Sequence, residues 1–162
     1  AITSTHAHSS YDHLCRNLFL KMKGRDTFIT NWIQGAQLYK KRAAFVLIAG
    51  SVIHDKKLPD ETVDGYLELI MQYSDDEREH VKKAASSALK EIGKKNFHYN
   101  EEALMLAHEW MERGSKAQRW IGKDVVKELE TMVKAEGRRR LISANTRMGK
   151  ETMEEQSTGG SG

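Results

Sequence analysis

The stretch SDDEREHVKKAASSALKEIGKKN, Ser74 to Asn96, decides how the chain folds. Val81, Ala84, Ala85, Ala88, Leu89 and Ile92 recur at helical spacing and share one side. Ser74 and Glu77 have the spacing of a capping box, so a helix is predicted to start there and stop at Gly93. Its middle, AASSA, holds only small residues. Alanines at core positions let neighbouring helix backbones come close. Lys83, Ser87, Lys90 and Lys94 follow one another at i, i+4, i+7 and i+11, roughly opposite the apolar side.

Outward from this helix the pattern continues. Tyr11, Leu14, Cys15, Leu18, Phe19 and Met22 predict a helix that Gly24 can end. Asp26 is expected to cap a short helix through Trp32 and Ile33, closed by Gly35. Gln37 to His54 is apolar nearly all round after Arg42, which predicts a buried helix. Pro59 or Asp60 opens the next, with Val63, Tyr66, Leu67 and Ile70 inward. Asn100 is expected to cap a helix ending at Gly114. Ser115 and Gln118 form a second capping box, for a last helix through about Val133. Pro59 is the only proline, and no segment alternates with a period of two. The expectation is an all-α protein.

The helices pair, and the pairs resemble one another. Lys41-Arg42-Ala43-Ala44, Lys82-Lys83-Ala84-Ala85 and Arg119-Trp120-Ile121-Gly122 fall at similar depths in the second helix of each pair. Matched positions lie 41 residues apart from Arg42 to Lys83 and 37 apart from Lys82 to Arg119. Such periods suit a HEAT-like helical-repeat solenoid, an α-α superhelix whose units must stack to bury their apolar faces. Second helices usually line the concave side. There the Lys83 row and a matching row of Lys116, Arg119, Lys123 and Lys127 would make a basic track for a polyanion. Lys41, Arg42, Lys82, Arg138 and Arg139 add to the candidate contacts. The plainer alternative is a solvated face with local pairs: Glu79 with Lys83, Glu91 with Lys95, Asp124 with Lys127.

The chain has 162 residues, 39% hydrophobic and 30% charged, which fits one soluble globular domain. Lys plus Arg exceed Asp plus Glu by 26 to 23, a mild basic bias with a sequence pI near 8.9. A lone Cys15 excludes an internal disulfide and suits a reducing compartment. The longest apolar run, Ala43 to Ile53, is too short to span a bilayer, so no membrane partner is expected. Residues 1–8 are linker-like, 9–143 are expected to form the repeat domain, and 144–162 to be a flexible tail. No metal-ligand spacing, phosphate loop or nucleotide fingerprint occurs, so no metal and no cofactor are expected. Cys15, Trp32, Trp110 and Trp120 are expected in the core. Asp12 borders the apolar stripe of its helix, where Arg16 one turn on can pair with it. Arg42 heads an otherwise apolar helix, so its guanidinium is either clamped to a carboxylate or facing an anion.

DHLCRNLF (Asp12 to Phe19), YKKRAAFVLIAGSVIHDK (Tyr39 to Lys56), DEREHVKKAASSALKEIGKKN (Asp76 to Asn96) and SKAQRWIGKDVVKEL (Ser115 to Leu129) resemble the AlkD-like family of DNA alkylation repair proteins. The resemblance runs in order over most of residues 9 to 133. It implies a HEAT-like solenoid whose basic concave face holds duplex DNA, here without the family's N-terminal helices. It implies excision of N3- or N7-alkylated purines by glycosidic bond cleavage. An alkylated base is cationic and already a good leaving group, so a carboxylate that stabilises the cationic sugar or positions water suffices. Asp12 matches the family's catalytic aspartate, and Arg42 its arginine near the lesion. The family also sets tryptophans beside the lesion; His8 and Ser87 stand at those positions here, removing two aromatic walls. The resemblance further implies a cytoplasmic, bacterial-type intracellular monomer. The alternative function is a catalytically inactive helical-repeat scaffold that binds nucleic acid or an acidic protein partner.

Overall fold

Val81, Ala84, Ala85, Ala88, Leu89 and Ile92 are all buried, as the spacing of the Ser74–Asn96 stretch predicts. The structure, a computed structural model, describes residues 24–159. The helix expected over Tyr11 to Met22, with Asp12 and Cys15, lies outside the described residues, as does His8. Seven helices run through the described residues: α1 Arg25–Ile33, α2 Leu38–His54, α3 Asp60–Tyr73, α4 Glu79–Gly93, α5 Phe97–Arg113, α6 Lys116–Leu129 and α7 Arg147–Gly159. Two short strands, β1 Met132–Val133 and β2 Ile142–Ser143, pair antiparallel. The fold is an all-α helical repeat. The chain divides into two compact units, Ala1–Leu89 and Lys90–Gly162.

In the first unit α1 packs on α2, and α3 meets both. Ile29 and Ile33 of α1, Phe45, Leu47, Ile48 and Val52 of α2, and Val63, Tyr66 and Ile70 of α3 supply the core. Each such side chain contributes about 1.5–3 kcal/mol on burial. Asp26 does not cap α1. Gly24 takes that position with a left-handed φ of +93°, and the Asp26 carboxylate instead accepts the Tyr66 hydroxyl at 2.5 Å. Arg25, beside it, donates to Asp55 at 3.1 Å and so ties the start of α1 to the end of α2.

Ser74 does not form the expected capping box with Glu77. Its buried hydroxyl donates back to the Ile70 carbonyl, so it closes α3, and α4 begins only at Glu79. Asp76 orders the residues between. Its carboxylate accepts from the Arg78 backbone at 3.0 Å and the Arg78 guanidinium at 2.7 Å, and lies 3.3 Å from the Lys41 ammonium. Arg78 reaches on to the Ala36 carbonyl at 2.9 Å.

The second unit is built on the α5–α6 hairpin. The Ser115–Gln118 capping box is present in both directions, with bonds of 2.9 and 3.3 Å. Gly122 lets α6 approach α5 closely: a Cβ there would sit 2.6 Å from the Ala107 carbonyl oxygen. Asn100 is not the cap of α5. Asn96 is, accepting from the Tyr99 N–H at 2.9 Å. Asn100 lies buried one turn in, donating to the carbonyls of Gly93 at 3.3 Å and Leu129 at 3.1 Å. It thereby satisfies two helix-end carbonyls that no intrahelical partner reaches.

The last long helix stops at Leu129 rather than Val133, because Met132 and Val133 pair with Ser143 and Ile142. Strands of two residues are too short to show alternation in sequence. Within 144–162, expected as tail, Arg147–Gly159 forms α7 and buries Gly149 and Thr152. Helix α7 packs on both strands. A Cβ on Gly149 would overlap the Ser143 carbonyl, so only glycine fits this approach.

Candidate nucleic-acid interface

Helix α6 turns Ala117, Ile121, Val125 and Leu129 inward. Helical geometry then places Lys116, Arg119, Lys123 and Lys127 on the opposite face, and all four are exposed. Among the described residues none of the four has a carboxylate partner. Asp124 and Glu128 could have neutralised them from the same helix. They turn aside instead: Asp124 pairs with Lys90 of α4 at 2.7 Å, and Glu128 with Lys94 at 2.9 Å. The expected pair of Asp124 with Lys127 does not form, and the α6 ridge keeps its full charge.

The same pairing changes the role of the α4 row. Lys90 and Lys94 are half-buried and bound to acids rather than presented as free cations. Glu91, next along, accepts Lys94 at 3.4 Å and the Arg140 guanidinium at 2.8 Å. Of Arg138, Arg139 and Arg140, the first two are exposed and the third is largely buried. Burial lowers the Arg140 pKa against the pull of Glu91. The group stays charged, as arginine does in proteins. The ion pairs of Glu91 and Glu128 escape a local reading of sequence. Their signal was the shared Lys-Glu step, Lys90-Glu91 and Lys127-Glu128, of the two repeats.

In the first unit Lys41 is clamped by Asp76 and lies 6.0 Å from the Tyr73 ring centre. Arg42 is half-buried at the head of α2. Lys82 and Lys83 both reach Glu79, at 3.5 and 3.4 Å, and hold its carboxyl below its ordinary pKa, Lys83 more strongly. The predicted Glu79–Lys83 pair is therefore present. Ser87 is exposed, so its small hydroxyl stands on the surface where the resemblance implies an aromatic. Trp110 is in the core, while Trp32 and Trp120 are half-buried; Trp32 stacks edge-on to Phe28 at 5.4 Å. Asp12, which the resemblance matches to the family's aspartate, and His8 lie outside the described residues.

A cleft of about 250 Å³ opens beside Asp26, Thr30, Glu61 and Tyr66. Burial, then the bond to Asp26, pushes the Tyr66 hydroxyl well above the ordinary phenol range. Two carboxylates on its lining make this cleft unsuitable for phosphate. Among the described residues no cluster of three metal-ligating side chains exists, and no helix is long and apolar enough to cross a membrane.

Helix hairpins in series define a helical-repeat protein, and Lys116, Arg119, Lys123 and Lys127 stand exposed along one side of α6. The chain belongs to the DNA alkylation repair enzyme family, whose model matches residues 4–128. That span includes His8, Asp12 and Arg42 and ends in the last turn of α6. No curated protein and no solved structure matches the chain. Family membership gives it a role in DNA repair.

Proposed function

We propose that the protein binds duplex DNA and excises purines carrying a cationic N3- or N7-alkyl group, by cleaving the glycosidic bond. The unpaired ridge of Lys116, Arg119, Lys123 and Lys127 carries the proposal, together with the family. A duplex presents a negative charge about every 1.7 Å of axis, and cations free of internal partners release its counterions at least cost. Lys41, Arg42, Lys82, Lys83, Ser87, Arg138 and Arg139 supply further contacts. In this mechanism the positive base needs little acid catalysis. Asp12 stabilises the developing sugar cation or orients the attacking water. No metal or cofactor takes part in the proposed reaction.

The test is release of alkylated purine from methylated duplex DNA. The expected result is release by the wild type and none by Asp12→Asn, with both variants folded alike. Retention of DNA without release at high protein concentration would overturn excision. It would favour the second reading, a lesion-binding repeat without chemistry, to which the exposed Ser87 points because a hydroxyl gives no aromatic wall to a cationic base. Indifference to DNA at low salt would overturn both and leave an acidic protein segment as the partner of the ridge.

A further inference from the structure

Four alternating charges cross the second unit in a chain. Glu128 of α6 lies 2.9 Å from Lys94, the residue just past α4, Lys94 lies 3.4 Å from Glu91, and Glu91 lies 2.8 Å from Arg140. The relay begins one residue from Lys127 of the ridge and ends one residue from Arg139. It therefore links the cationic helix to the segment between the two strands. We infer that this segment, Lys134 to Arg140, is a second phosphate-gripping element of the same DNA interface, with Arg138 and Arg139 as its contacts and Arg140 as a positioning residue. The inference rests on the DNA-binding reading above.

The segment is built to hold a shape. Gly137 adopts a left-handed φ of +78°, which turns the chain, and the Arg138 N–H donates to the Ala135 carbonyl at 3.2 Å. The Lys134 ammonium closes the turn on the Arg138 carbonyl. Ala135 and Leu141 are buried on either side and pin its two ends. The Leu141 N–H donates to the Lys94 carbonyl at 2.8 Å, and Arg140 adds a bond to the Glu91 carbonyl at 2.6 Å. Between these anchors Arg138 and Arg139 are exposed side by side. Glu136 is the only acid within the segment. Two arginines on a turn fixed in place lose less freedom on meeting phosphate than two on a loose chain, and each guanidinium can bond a phosphate through two N–H groups. The segment lies past residue 128, where the family match ends.

Binding to an undamaged duplex oligonucleotide, measured over a series of salt concentrations, tests the inference on the full chain. Each phosphate contact contributes about 0.9 to the slope of log K against log salt. The double variant Arg138→Ala/Arg139→Ala is expected to bind more weakly and to lower that slope by about 2, while remaining folded. Arg140→Gln keeps both contact arginines but frees the segment. It is expected to weaken DNA binding and to speed amide exchange at 135–140, while Arg140→Lys restores part of both. A wild-type protein that ignores DNA would overturn the function itself. A wild type that binds with a steep slope, matched by the double variant, would overturn only the role of this segment.

Discussion

Lys90 and Asp124 face each other at 2.7 Å, joining α4 to α6 across 34 residues of sequence. Both side chains are mostly covered, at 19% and 32% exposure. Asp124 thus acts as a built-in counter-ion that withholds one lysine from any external phosphate. Replacing it with asparagine should release Lys90. DNA affinity is expected to rise several-fold at low salt, and the salt slope to steepen by about 0.9. The stability cost should stay near about 1 kcal/mol or less, as for other partly exposed pairs. An unchanged slope would show that Lys90 points away from the bound duplex.

Lys123 sits mid-ridge and has no carboxylate partner among the described residues. Lys123→Glu should therefore weaken DNA binding by at least tenfold at low salt, since it removes one attraction and adds one repulsion. Its effect on the denaturation midpoint should lie within about 0.5 kcal/mol. Full affinity in this variant would remove the α6 ridge from the interface.

Asn100 joins the end of α4 to the end of α6 through two carbonyls. Asn100→Ala leaves both acceptors buried and unmet. Urea denaturation should show a loss of about 1–3 kcal/mol. A loss under about 0.5 kcal/mol would mean that the carbonyls find other donors.

Gly122 is the point of closest approach in the α5–α6 hairpin, and the obstacle to a side chain there is backbone, the Ala107 carbonyl. Gly122→Ala must push the helices apart and is expected to cost about 1–3 kcal/mol. Gly65→Ala is the control: nothing lies within 4 Å of its added methyl, and its helix propensity improves. Equal destabilisation by the two would contradict the close approach.

Asp76 gives the first unit a pH signature. Hydrogen bonds from Arg78, with Lys41 nearby, hold its carboxyl well below the ordinary carboxylate range. Its folded pKa is thus depressed relative to an unfolded value of about 3.9. The resulting stability is fully present above that value and is lost as pH falls toward the folded one. Asp76→Asn should lower stability by about 1 kcal/mol at neutral pH, and the gap to wild type should close as pH falls below about 4. A gap that holds constant into strong acid would exclude Asp76 as its source.

Much of the fold was legible because helix signals are local. The stripe from Val81 to Ile92 and the Ser115–Gln118 box depend on residues within four positions of one another, and both are present. The Ser74–Glu77 box has the same spacing, yet Ser74 is drawn to Ile70 behind it. Hydroxyls at a helix junction serve either neighbour, and the sequence does not say which. Asn100 carried a capping residue's chemistry but spends it on a carbonyl 29 residues away. The candidate interface shows the same divide. The α6 ridge follows from spacing alone. That Lys90 is occupied depends on Asp124, which packing brings near and sequence does not.

The end of α4 carries one last consequence. The carbonyls of Glu91 and Gly93, and of Lys94 just past the helix, receive donors from Arg140, Asn100 and Leu141. Two of those three donors come nearly fifty residues later in the chain. During synthesis the final turn of α4 therefore emerges well before the groups that complete it. Its full set of hydrogen bonds therefore depends on closing a long loop, a cost that the sequence-local bonds of the other helix ends do not carry.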